Sequence, residues 1–149
     1  MPERTTRERA KRDLRAGKRP TTAAGEFVRE EMEHIRRGKH GARSTRQAIA
    51  IGLSKARRAG VPLEPPAPGR LKESTRRSAE RAYEVGQGKR KARAPSRARS
   101  RAVSRALERE GHGAASSRAL AAHARSTARS RKVARASRSS RTSWTSRTT

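Results

Sequence analysis

The chain has 149 residues, 40 of them Lys or Arg against 13 Asp or Glu, for a formal net charge of +27. Leu, Ile, Val and Phe together number only 15, 26 further apolar residues are alanine, and there is no cysteine. This excludes disulfides and cysteine-based zinc sites and leaves no run of about 18 apolar residues to span a membrane.

With so few large apolar residues and so high a charge, a chain tends towards disorder. One small ordered patch is therefore expected, with structure elsewhere conditional on a partner. The N-terminus, Met1-Pro2-Glu3-Arg4, has no apolar stretch of the secretory type, so a cytoplasmic location is expected. The fold class is read as all-α: a small helical pair or bundle with extensive disordered or conditionally helical basic segments.

Residues 1–20 read as a polar N-terminal helix over Glu3 to Ala16, with Gly17 offering a stop. Leu14 is its only large apolar residue, so fraying is expected. Residues 21–61 read as a helix-turn-helix-like α-hairpin. Thr21 or Thr22 offers an N-cap for the first arm. Phe27, Val28, Met32 and Ile35 recur at helical spacing, and Gly38 ends the helix. Glu26, Glu30, Glu31 and Glu33 precede Arg36 and Arg37, an order that complements the helix dipole.

The second arm is encoded most strongly. Ser44-Thr45-Arg46-Gln47 fits a capping box, and Gly60-Val61-Pro62 fits a Schellman-type stop. Ile49, Leu53 and Ala56 are read as lining one face, with Ala48, Ile51 and Gly52 beside it. Nine of the 19 large apolar residues lie between Phe27 and Leu63. The core is therefore expected between these two helices, with Gly52 letting the backbones approach.

Residues 62–70, with four prolines, read as a linker. Residues 71–88 read as a short helix from Leu71 to Val85, with Ser74 or Thr75 as an alternative start and Gly86 and Gly88 as its end. From Lys89 onward the chain holds 18 basic residues and two acids, Glu108 and Glu110. Residues 89–136 read as Arg-rich conditional helices, one from Ser96 to Glu110 and another from Ser116 or Ser117 to about Arg135. Residues 137–149, rich in Ser, Thr and Arg, are expected to be a disordered tail.

The chemistry lies in this basic half. Arg97, Arg101, Arg105 and Arg109 recur every four residues, which keeps them near one helix face at steps of about 6 Å along the axis. Like charges at that spacing destabilise a free helix, and a polyanion relieves the repulsion, so folding on binding is expected. The expected nucleic-acid contacts are Arg97, Arg101, Arg105, Arg109, Arg118, Arg125, Arg129, Arg131, Lys132, Arg135 and Arg138. Such side chains grip phosphates without reading sequence. Phe27, Tyr83 and Trp144 are the only aromatic residues, too few for a stacking platform.

The acidic group on the first hairpin arm is assigned to ordinary pairing such as Glu33 with Arg36 or Arg37, in preference to docking a basic segment. Glu30 and His34, at i,i+4, can share a metal, but the pair lacks a second pair of ligands. No metal, cofactor or catalytic residue is assigned. No nucleophile–base pattern, Walker loop or dinucleotide fingerprint occurs, so neither an enzyme nor a small-molecule substrate is expected. No helix pairs a wide apolar face with its basic one, which argues against a membrane surface as partner.

Three stretches carry a resemblance: Gly25-Glu26-Phe27-Val28-Arg29-Glu30-Glu31, His34-Ile35-Arg36-Arg37-Gly38-Lys39-His40-Gly41, and the run Gln47-Ala48-Ile49-Ala50-Ile51-Gly52-Leu53-Ser54. Across about residues 1–70 the chain resembles a domain family of unknown function found in small basic bacterial proteins. That resemblance implies no catalytic residues. The C-terminal tail is similar in composition to bacterial histone H1-like tails, with Arg and Ser in place of Lys. The resulting expectation is low-specificity DNA binding by a nucleoid-associated accessory protein. RNA or ribosome association is the alternative, and a protein-interaction module on a basic tether a third, with self-association through residues 22–60.

Overall fold

A computed structural model describes residues 2–145, with side chains through residue 136. Its elements are α1 (Arg4–Arg15), α2 (Pro20–Arg36), α3 (Thr45–Arg58), α4 (Glu73–Gly86), α5 (Arg97–Glu108), a 3-10 turn at Gly113–Ala115 and α6 (Ser117–Thr145). The protein is all-α. It divides into two compact units, Met1–Ala115 and Ser116–Thr149.

Local chemistry sets the helix ends. Ser44 Oγ accepts a hydrogen bond from Gln47 N at 3.2 Å, and Gln47 Oε1 accepts one from Arg43 N at 2.8 Å. The capping box therefore reaches one residue further back than the usual reciprocal pair. At the other end of α3, Gly60 takes φ +94°. This lets Val61 N reach Ala56 O and Gly60 N reach Arg57 O, both at 3.1 Å, which is the Schellman pattern. Helices α1, α2 and α4 close with the same pair of bonds.

Several helix boundaries differ from expectation, and the largest difference is in α6, which continues to Thr145 past the expected end near Arg135. Helix α2 starts at Pro20, whose fixed φ and missing N–H suit the first helical position, so Thr21 and Thr22 fall inside its first turn and do not cap it. Leu71 lies outside α4, which begins at Glu73. Helix α5 ends at Glu108, making Arg109 its C-cap.

The main core cluster of the first unit is centred on Phe27, with Ile35 and Met32 buried outside that cluster. Phe27, 1% exposed, sits among Ala10, Ala23, Ala24, Ala56 and Val61, with Leu14, Leu53, Ala59 and Leu63 packed around them. Helix α1 is thus part of the core and not a frayed arm, burying Thr6, Ala10 and Asp13. The buried face of α3 is also not the one its large residues mark. It consists of Thr45, Ala48, Gly52 and Ala56, while Ile49, Ile51 and Leu53 are half-buried. The reason is close approach: a Cβ on Gly52 would stand 2.8 Å from Val28 Cα. Only small residues fit a seam that tight.

The Pro-rich segment is pinned at its start. The buried Arg57 guanidinium donates to Leu63 O at 3.0 Å and Glu64 O at 3.3 Å, and its burial lowers its pKa. Helix α4 then packs on α3 with its last residue, Gly86, against the Arg57 carbonyl, and Gln87 Nε2 donates to Gly60 O at 3.3 Å.

Segment 107–115 is tied to the loop between α2 and α3. Gly41 N donates to Leu107 O at 2.8 Å and Ala42 N to Gly111 O at 3.1 Å. Arg36 Nε donates to Ala115 O at 2.9 Å and Thr45 Oγ1 to Ala114 O at 2.6 Å.

In the second unit, α6 opens with Ser116 Oγ accepting from Ala119 N at 3.2 Å. Along it, Thr127 Oγ1 donates to His123 O at 2.9 Å and Ser130 Oγ to Ser126 O at 3.1 Å, the back-bonding that lets hydroxyl side chains sit within a helix. The tail expected to be disordered, 137–149, lies outside the described residues for its last four positions and for the side chains of 137–145.

Replacing Phe27 by Ala is expected to lower stability by about 3–5 kcal/mol, enough to melt α1–α3 together. Ile49→Ala, on the half-buried face, is expected to cost clearly less. Urea unfolding followed by circular dichroism checks the order, and an equal loss from both would show that Phe27 does not centre the core.

Candidate functional site

The expected phosphate-gripping residues fall on two helices. Arg97, Arg101 and Arg105 lie on α5 and Arg109 caps it; Arg118, Arg125, Arg129, Arg131, Lys132, Arg135 and Arg138 lie on α6. All except Arg138, whose side chain is outside the described residues, are exposed. None of these makes an ion pair among the described residues. Helix α5 buries no residue. Its arginines advance about 6 Å and turn about 40° at each four-residue step, so they spread over an arc of one face.

The acids of α1, α2 and α4 are already engaged. Arg4 pairs with Glu8 at 3.2 Å, Lys18 with Asp13 at 2.7 Å, Arg37 with Glu33 at 3.3 Å and Arg90 with Glu84 at 3.0 Å. On α4, Arg76 grips Glu73 with two hydrogen bonds of 2.7 and 2.9 Å, and Arg77 adds a third at 3.1 Å. These bonds, Arg76 first and Arg77 second, hold the Glu73 carboxyl down at about 2. The same contacts with Glu73 raise the pKa of Arg76.

The acidic group on α2 divides in two. Glu26 and Glu33 form ordinary pairs one helical turn away, with Arg29 and Arg37. Glu30 and Glu31 turn inward and are buried. Glu31 Oε2 accepts from Lys55 Nζ of α3 at 2.5 Å, while Glu31 Oε1 is buried with no hydrogen-bond partner. His40 Nε2 stands 3.4 Å from that oxygen without hydrogen-bond geometry. Glu30 Oε1 accepts from Glu3 N at 3.2 Å and lies 3.8 Å from His34 Nε2, while Glu30 Oε2 has no partner.

Glu3 is 3.2 Å from His34 Nε2 and 3.5 Å from Lys39 Nζ. The His34 hydrogen bond first, then that of Lys39, lowers its pKa. The possible ligand atoms of Glu31, His34 and His40 lie within 4.8 Å of one another, as do those of Glu3, Glu30 and His34. The spacing Glu30–His34 is visible in sequence. The contributions of Glu3, Glu31 and His40 are not, because they depend on the N-terminal crossing and the return of the 37–44 loop.

No helix among the described residues is long and apolar enough to cross a membrane. Protein-family models, curated proteins and solved structures each give no match to the chain.

Lys55→Met strands the Glu31 carboxylate and is expected to destabilise the first unit by about 2–3 kcal/mol, below the cost for a fully buried pair because Lys55 is partly exposed. The double variant Glu31→Leu/Lys55→Met should recover most of that loss in denaturant unfolding.

The Glu73 carboxyl is expected to titrate near 2, against an ordinary value of 4.5. A depressed folded pKa stabilises above the ordinary value, and the gain is lost as pH falls through the folded one. The α4 contacts should therefore weaken between about pH 4.5 and 2. A carboxyl-carbon NMR titration reads this directly, and a midpoint near 4.5 would rule out the Arg76 and Arg77 grip.

Proposed function

We propose that the chain binds nucleic acid with low sequence specificity, duplex DNA being the favoured target, as a nucleoid-associated accessory protein. One observation carries the reading: the described arginines of α5 and α6 are exposed and make no ion pair, whereas the acids of α1, α2 and α4 pair with nearby cations such as Arg4, Arg37 and Arg76. An unpaired cationic helix repels itself and is stabilised by any array of phosphates. A duplex presents one charge per about 1.7 Å of its axis, so every turn of α5 finds a phosphate within reach.

Low specificity follows from the side chains present. Phe27 is in the core and Tyr83 is half-buried, leaving no described aromatic platform for bases. Contacts of Arg with phosphate position a duplex but do not read it.

Log affinity should fall steeply with log salt, by about 0.9 for each phosphate neutralised. Replacing Arg97, Arg101 and Arg105 together by Ala should reduce that slope by up to about 3 and weaken all duplex sequences alike. Arg4→Ala, in a paired position, should change little. Fluorescence anisotropy across a salt series, with structured RNA as competitor, is the measurement. A flat salt dependence would overturn the proposal, and clear preference for RNA would move the target from DNA to RNA.

A further inference from the structure

We propose that Glu31, His34 and His40 form a binding site for a divalent transition-metal ion of the zinc class, independent of the nucleic-acid reading. The starting point is a buried carboxylate with a spare oxygen. Glu31 is 1% exposed, and its Oε1 has no hydrogen-bond partner although Oε2 is held by Lys55. A buried charged acceptor without a partner is costly, and a cation at that oxygen removes the cost.

The donors facing it are of the right kind. His40 Nε2 is 3.4 Å away, and the His34 and His40 rings stand edge to face with centroids 6.2 Å apart. Two ligand atoms on one tetrahedral zinc are separated by about 3.3 Å, given metal–ligand bonds of about 2.0–2.1 Å. The three donor atoms here lie within 4.8 Å of one another. His40 Nε2 and Glu31 Oε1, at 3.4 Å, already stand close to the tetrahedral separation, and His40 sits on the connection between α2 and α3, outside both helices.

Imidazole and carboxylate together select zinc, cobalt or nickel over calcium, which takes six to eight oxygens. A ligating histidine needs its other ring nitrogen oriented by an acceptor, and Glu3 and Glu30 stand 3.2 and 3.8 Å from His34 Nε2.

Charge points the same way. Three carboxylates, Glu3, Glu30 and Glu31, face two ammonium groups, Lys39 and Lys55. With neutral histidines the cluster is net negative inside a chain of net charge +27, which favours a cation at this position over the rest of the surface. The ion also has a structural consequence. Gly41 and Ala42, next to His40, hold the end of α5 through Leu107 O and Gly111 O, so fixing His40 stiffens the joint that carries the arginine helix.

The test titrates the chelator-treated full chain with zinc chloride and, separately, cobalt chloride, by calorimetry and thermal melting, with the cobalt visible spectrum as readout of nitrogen–oxygen coordination. One equivalent is expected to bind and to raise the melting temperature. His40→Ala and His34→Ala should each weaken binding by at least about tenfold, and His123→Ala, on α6, should leave it unchanged. Folding of each variant is checked by circular dichroism; if His34→Ala loses helicity, His40→Ala decides alone. Absence of saturable one-to-one binding, unchanged affinity in His40→Ala, or equal binding of calcium chloride would overturn the proposal.

Discussion

The contact between Val28 and Gly52 is the constraint on which the folded unit depends. A chain with so few large side chains cannot hold two helices apart at the usual distance and fill the space between them. It can only bring the backbones together and let many short contacts act in place of a few large ones. Gly52, with Ala48 and Ala56 on the same face, makes that possible. The same closeness carries Glu31 out of water and sets Lys55 of α3 against it at 2.5 Å. The buried ion pair is thus a consequence of an alanine-built seam. It adds little net stability, since desolvation offsets much of the attraction, but it is costly to break from one side.

A second consequence concerns how the arginine helix is attached. A helix with arginines along an arc of one face and mostly Ala and Ser elsewhere has no wide apolar stripe to bury, and α5 buries nothing. The connection is made at its end. Leu107 O and Gly111 O accept from Gly41 N and Ala42 N, satisfying carbonyls that a helix C-terminus otherwise leaves to water. A side chain at position 41 would collide with the Glu110 carbonyl, so the loop must offer bare backbone there. End-on attachment leaves the sides of α5 free, as the proposed phosphate-binding role requires.

The parts legible in sequence are those determined by neighbours along the chain. The Ser44 cap and the Gly60 stop depend on residues three to five apart, and helical periodicity sufficed for the all-α class. Periodicity centres the α3 face on Ile49 and Leu53, whereas the seam selects for smallness and centres it on Ala48, Gly52 and Ala56. The Arg57 bonds to Leu63 and Glu64, and the meeting of Glu31 with His40, were hidden for another reason. Each joins a helix to a loop whose path is set by tertiary packing, and no spacing rule encodes it. Arg57 in particular reads as one more basic residue until its burial shows that it binds carbonyls and no phosphate.

Within the first unit, fold and proposed binding surface share few atoms. The core around Phe27 and the seam at Gly52 lie on α1–α3, and α5 meets them only through the 107–115 segment. Sites without shared partners contribute nearly additively. Stability and phosphate affinity should therefore be separable, with one exception. The loop 37–44 belongs to both, since it carries His40 beside the buried Glu31 and also Gly41 beside Leu107. If the folded unit influences how α5 is presented, the influence passes through that loop, and the buried acid–histidine cluster is the chemistry placed to act on it.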